Sequence, residues 1–199
     1  MAIPNNLMDR ELLKFVETYD GKPAVRFIPN EVDRATQGII TIDYAHHEIH
    51  SGSHYFYTDT VTLASSGTQD YLITTPNTTK WAHMLLAGIG SAITQFDLYE
   101  GSDRTGTSAQ TVINQNRNSS NTAGVTIHKG TSSGTTDGVK IFTHKGGSSG
   151  GVSRTESSVR NDNEIILKQN TKYIFRVTSG TTDNITSVGF SWYEHTNKA

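Results

Sequence analysis

From Ile39 onward the chain alternates between apolar and polar positions. Ile40, Ile42 and Tyr44 are separated by Thr41 and Asp43, and the run from His54 through Tyr55, Tyr57 and Val61 to Leu63 ends at the turn-rich Ser65-Ser66-Gly67. Period two sends successive side chains to opposite faces of a strand, so one face is buried while the other stays polar. Tyr71-Leu72-Ile73 closes at Pro76-Asn77, and Phe96 and Leu98 alternate with Gln95, Asp97 and Tyr99 before Gly101. The segment from Trp81 to Gly88 has no clean period, and its surroundings predict a strand buried on both faces. The last third is the most regular. Glu164 to Lys168 precedes a turn at Gln169-Asn170-Thr171, then Tyr173, Phe175 and Val177 share one face, and Val188, Phe190 and Trp192 share another. Trp192 is therefore assigned to the core, and Tyr99 and Tyr193 to a surface or subunit contact. Short alternating runs at 125–128 and 139–141 stand between two Ser/Thr/Asn/Gly-rich stretches, 101–123 and 144–162, which read as long loops. About eight to ten short strands spaced by turns predict an all-β fold, a β-sandwich of jelly-roll type.

Residues 1–37 break this pattern. Leu7, Met8, Leu12, Leu13, Phe15 and Val16 surround charged positions, and Leu12, Phe15 and Val16 recur at helical spacing behind Asp9, a candidate cap. The stretch predicts an extended N-terminal arm with at most one short helix, ending at the turn signal Asp20-Gly21-Lys22-Pro23. It is too short to bury its own apolar side. Those six apolar residues are thus candidate partner-binding positions, on the chain's own domain (38–199) or on another protein.

Composition sharpens the picture. The 199 residues include 28 Thr, 19 Ser, 18 Gly and 13 Asn, and the net charge is −2. Thr, Ser, Asn and Gly disfavour helix interiors, while Thr and Tyr suit pleated surfaces. There is no cysteine, which removes disulfides, thiolate metal sites and thiol nucleophiles. The start, Met-Ala-Ile-Pro-Asn-Asn, lacks a basic and apolar leader, so export by a cleaved signal is not expected. No apolar run is long enough to span a bilayer. Positive charge gathers only mildly, at 101–160, so neither nucleic acid nor membrane is an expected partner. The sequons at Asn77, Asn118 and Asn184 read as chance matches in a Thr/Asn-rich chain.

Candidate chemistry is sparse. His46, His47, Glu48, His50 and His54 fall within nine residues. On a strand, His46, Glu48 and His50 would share a face as a three-ligand set; polar strand-edge residues packed beside Tyr55 and Tyr57 are the preferred explanation, and no metal or other cofactor is expected. Gly147-Ser148-Ser149-Gly150-Gly151 matches the G-x-S-x-G elbow in letters, without the strand–turn–helix setting the motif needs. Asp97 with Glu100, or Asp59 with Asp70, has no fixed carboxylate separation to recommend it. No catalytic residue is assigned, and the chain is expected not to be an enzyme.

The ordered segments Ala45 to Phe56, Phe96 to Gly101, Asn114 to Asn121, Glu164 to Tyr173 and Ser191 to His195 resemble tailed-bacteriophage virion proteins that decorate the head. The resemblance implies a non-enzymatic capsid decoration, or cement, protein located on the capsid surface of the virion. It implies an arm holding a β-sandwich on the shell, the major capsid protein as partner, and often a homotrimer. The alternative is a receptor- or glycan-binding β-sandwich module of a phage tail or fibre, using Tyr99, Tyr193 or the His46–His54 segment. A metal-dependent hydrolase built on the histidines is a third, remote reading.

Overall fold

The computed structural model describes residues 15–17, 23–25, 44–148, 159–160 and 164–196. The chain divides into two units, Met1–Tyr44 and Ala45–Ala199. In the first, strands β1 (Phe15–Glu17) and β2 (Pro23–Val25) pair antiparallel. Phe15 and Val16 therefore lie on a strand and not on the short helix their spacing predicted. Pro23 fits a strand start, where its missing N–H costs nothing. Leu7, Met8, Leu12 and Leu13 lie outside the described residues.

One helix, α1 (Tyr44–Ser51), leads into the sandwich. The strands follow in order: β3 (His54–Leu63), β4 (Thr68–Thr74), β5 (Lys80–Gly90), β6 (Thr94–Glu100), β7 (Thr105–Ala109), β8 (Ile113–Asn114), β9 (Thr126–Ser132), β10 (Val139–Gly146), β11 (Val159–Arg160), β12 (Ile165–Leu167), β13 (Lys172–Ser179) and β14 (Asn184–Thr196). One sheet has the order β10-β6-β13-β4-β9-β7. The other runs β11-β5-β14-β3-β8, with β12 also on β5. From β3 to β6 the chain changes sheet with every strand, and it does so again from β10 through β12 and β13 to β14. That alternation is the connectivity of a jelly roll, with β7, β8 and β9 inserted between its fourth and fifth strands.

The core follows the predicted parity. Tyr173, Phe175 and Val177 from β13 meet Val188, Phe190 and Trp192 from β14, with Tyr71, Ile73, Met84, Leu86, Phe96 and Leu98 around them. Phe175 and Tyr71 stand edge-on to Phe190 at centroid distances of 5.2 and 5.7 Å, the arrangement favoured by ring quadrupoles. Asn170, in the expected turn, has φ of 49°, which asparagine tolerates better than most residues.

Two expectations need correcting. β5 is not buried on both faces: Ala82, Met84, Leu86 and Gly88 point inward, whereas Leu85 and Ile89 are exposed. The supposed loop at 101–123 carries β7 and β8, and β10 extends into the second stretch as far as Gly146. All three strands lie at sheet edges, where no deep core demands strict apolar alternation.

Candidate interaction face and histidine cluster

The two outer sheet surfaces differ sharply. On the sheet containing β13, the central outward side chains are charged and matched, while Val139 and Ile141 on its edge strand β10 are 70 and 45 % exposed. Arg176 donates to Asp70 at 2.7 and 2.8 Å and to Asp137 at 2.8 Å, while Arg104 pairs with the same Asp137 at 2.5 Å. The two carboxylates hold the Arg176 pKa above its usual range, against the opposing effect of burial. Lys140 pairs with Asp97 at 3.1 Å, and Lys140 and Arg176 both lie over the Tyr99 ring. Asp103 accepts backbone N–H bonds from Thr135 and Thr136, which hold its pKa at about 2. Leu72 and Ile174 on this side are buried. The chain thus finishes the middle of this surface with its own loops and ion pairs.

The opposite surface is finished differently. Leu85 and Ile89 on β5, Ile166 on β12 and Ile185 on β14 are 40, 44, 50 and 53 % exposed. Ser187, Gly189 and Ser191 of β14 lie between the outer strands, opposite Ile89, Ala87 and Leu85 in register. The result is a shallow apolar face with a small-residue floor. Surface isoleucines scattered singly are ordinary, but four aliphatic side chains on one sheet face are a candidate contact surface.

At the end of this face near the C-terminus of β14 the character changes again. His83 on β5 stacks on Tyr193 with centroids 4.7 Å apart, and His195 lies 4.5 Å from His83. Tyr193 donates to both oxygens of Glu164 at 2.8 Å, and His83 Nδ1 contacts the same carboxylate. His54, paired in register with Tyr193, stacks on it from the other side at 6.2 Å. Burial lowers the His54 pKa, an effect the nearby Glu48 partly offsets. Sequence reasoning placed Tyr193 on a surface; it is outward-facing yet covered, and His83, His195 and Glu164 joined the cluster unnoticed. They are up to 112 positions apart in the chain, and only strand pairing brings them together.

The histidine-rich segment itself is helical, not a strand, so the shared face of His46, Glu48 and His50 does not form. His46 and His50 sit one turn apart with Nε2 atoms 3.1 Å from each other, whereas Glu48 turns inward, accepting from Ser51 and Ser53. Beyond it, Gly52 (φ 74°) makes the sharp entry to β3, a conformation that favours glycine. The asparagine run clamps this corner: Asn114 and Asn121 donate to the Gly52 carbonyl at 2.9 and 3.2 Å, and Asn116 to that of His50 at 3.1 Å. The histidine-rich segment and the asparagine run 114–121 are therefore one structural unit.

Tyr55, Gln110, Asn114, Thr122, Val125 and His128 are among the residues lining a cavity of about 370 Å³ beside the β7–β9 insertion. Asp59 is tied to Lys129 and Tyr71, and Asp97 to Lys140, so each of these carboxylates is held in an ion pair. Most of the Gly147–Gly151 match lies outside the described residues. Among the described residues no three His, Asp or Glu side chains converge as a metal-holding group, and no helix is long and apolar enough to cross a membrane. No family model, no curated protein and no solved structure matches the chain.

Proposed function

We propose that the protein is a non-enzymatic bacteriophage virion structural protein, a decoration protein that binds the major capsid protein and stabilises the head. The observation that carries this reading is the asymmetry of the sandwich. The middle of one outer surface is closed by intrachain ion pairs, with Val139 and Ile141 exposed at its β10 edge, and the other leaves Leu85, Ile89, Ile166 and Ile185 standing together in solvent across three strands. A face of that kind gains stability when it is covered, at about 25 cal/mol per Å² of apolar area removed from water. The ordered-segment resemblance supplies the partner, since the jelly roll serves many functions and names none of them. Repeated copies on a shell multiply a modest contact, and closed symmetry favours a homotrimer at three-fold positions.

The test is localisation and binding together. Cryo-EM of the virion should place the chain on the head in multiple copies, and Leu85→Lys with Ile185→Lys should release it from heads without unfolding it. Density on the tail, or full head occupancy by the double variant, would reject the reading.

The cavity beside the insertion favours a second reading, a glycan-binding module. Gln110, Asn114 and Thr122 supply amide and hydroxyl groups, and Tyr55 an aromatic wall. Tail localisation with a glycan-array signal lost in Gln110→Ala would support it over the first.

A further inference from the structure

His83 and His195 present their Nε2 atoms to each other at 2.9 Å. What each ring does with its other nitrogen decides what that contact is. His195 Nδ1 lies 2.7 Å from the carbonyl oxygen of Thr196, which only accepts, so this nitrogen carries the hydrogen. His83 Nδ1 faces a Glu164 oxygen, and that carboxylate is fixed by the Tyr193 hydroxyl, which donates to both of its oxygens. An ionised carboxylate also only accepts, so His83 Nδ1 carries its hydrogen too. If both rings are neutral, these tautomers point lone pair at lone pair. The 2.9 Å contact then needs a positive centre between the nitrogens, either a proton carried by one ring and accepted by the other or a bound cation.

We propose that His83 and His195 form a two-histidine site for a late first-row divalent cation, Zn(II) or Cu(II). Each Nε2 supplies one ligand, and water completes the coordination. Imidazole nitrogens suit these ions. The Glu164–His83 contact has the form of the carboxylate–histidine pair that orients a metal-bound imidazole and raises its basicity. Tyr193 adds a further layer by stacking on the His83 ring and holding Glu164. Strand pairing presets the geometry, because β5 and β14 place His83 opposite Tyr193 and His195 opposite Trp81. The His46–His50 pair on α1 also brings two Nε2 atoms together, at 3.1 Å. It is exposed, and among the described residues no carboxylate contacts either ring, which makes it the built-in comparison. The site stands independently of the decoration reading.

The experiment is titration of the full-length chain with ZnCl₂ and separately CuCl₂, followed by calorimetry and by NMR of the histidine ring nitrogens. The wild type should bind with the His83 and His195 Nε2 resonances the first to shift with zinc and the first to broaden with copper. His195→Gln should weaken that event by about tenfold or more, and Glu164→Gln by about 10- to 100-fold, the usual range for an outer carboxylate. The double variant His46→Gln, His50→Gln should leave it unchanged. If His195→Gln fails to fold, the ring-nitrogen shifts in the wild type decide alone. The proposal falls if those resonances stay in place, or if the helix double variant removes all binding. It falls equally if neither ion binds and the two nitrogens titrate as a pair sharing one proton.

Discussion

Glu194 is the residue on which most of one corner depends. Buried on β14, it accepts from the backbone N–H groups of Gly124 and Val125 at 2.9 to 3.0 Å and from the Trp192 indole at 3.0 Å. Glu194→Ala leaves three donors without their acceptor, and a lost hydrogen bond to a charged group costs about 1.5–3 kcal/mol. The urea midpoint should fall by an amount equivalent to about 3 kcal/mol or more, with the indole losing its ordered environment in near-UV circular dichroism. Asn184 has the same standing: it donates to Ile93, Thr94 and Ser179 and accepts from Ser91 and Ala92. At 1 % exposure its side-chain amide is enclosed by the folded chain.

Titration adds a second prediction at this scale. Burial lowers the His54 pKa below its ordinary 6.5. The unfolded chain therefore binds this proton more readily than the folded one. Stability from neutral His54 is fully present above pH 6.5 and declines as pH drops from there toward the folded value. Asp103 acts lower down: held at about 2 against an ordinary 3.8, its contribution is present above 3.8 and is lost as pH falls through about 2. Chemical denaturation across pH should show two separate declines. His54→Gln should flatten the upper one and leave the lower unchanged; identical profiles would contradict the assignment.

Among the elements, β5 shows how a strand is shaped by what lies across the sandwich. Gly88 points inward, and a Cβ there would sit 2.4 Å from Cε1 of Phe96. Glycine is required by close approach, not by backbone conformation. Gly88→Ala overpacks this point and should cost about 1–3 kcal/mol, while Ala87→Gly on the same strand should cost about 1 kcal/mol or less. Thermal melts of the two variants make the comparison. Helix α1 is the converse case. His46, His47 and His50 are poor helix formers, and the element holds its place through the Asn114–Asn121 clamp and the inward Glu48. Asn114→Ala is thus expected to loosen α1, raising amide exchange at residues 46–52 ahead of the rest of the sandwich.

At the scale of the molecule, the two outer surfaces respond differently to substitution. Arg176→Ala strips Asp70 and Asp137 of their shared partner and should lower stability. Leu85→Lys with Ile185→Lys removes no intrachain contact of comparable weight, because both side chains are about half exposed. The melting temperature of the double variant should stay within a few degrees of wild type while assembly is lost. Light scattering of the isolated chain tests the proposed trimer directly, and a monomer unaffected by the double substitution would sink the assembly model.

The alternating pattern was enough to determine the all-β class, the sandwich, and which side chains of β13 and β14 enter the core, because period two leaves only one face to bury. It also placed the turn at Gln169-Asn170-Thr171, whose residue types carry their own backbone preferences. What it did not determine depended on partners distant in the chain. Glu48 turns inward only because α1 packs at a corner made by asparagines more than sixty positions later. The exposed side of β5 became visible only when its neighbours β14 and β12 were known. His83, Glu164, Tyr193 and His195 meet because antiparallel register sets β5, β12 and β14 side by side, and no local period encodes a contact made across three strands.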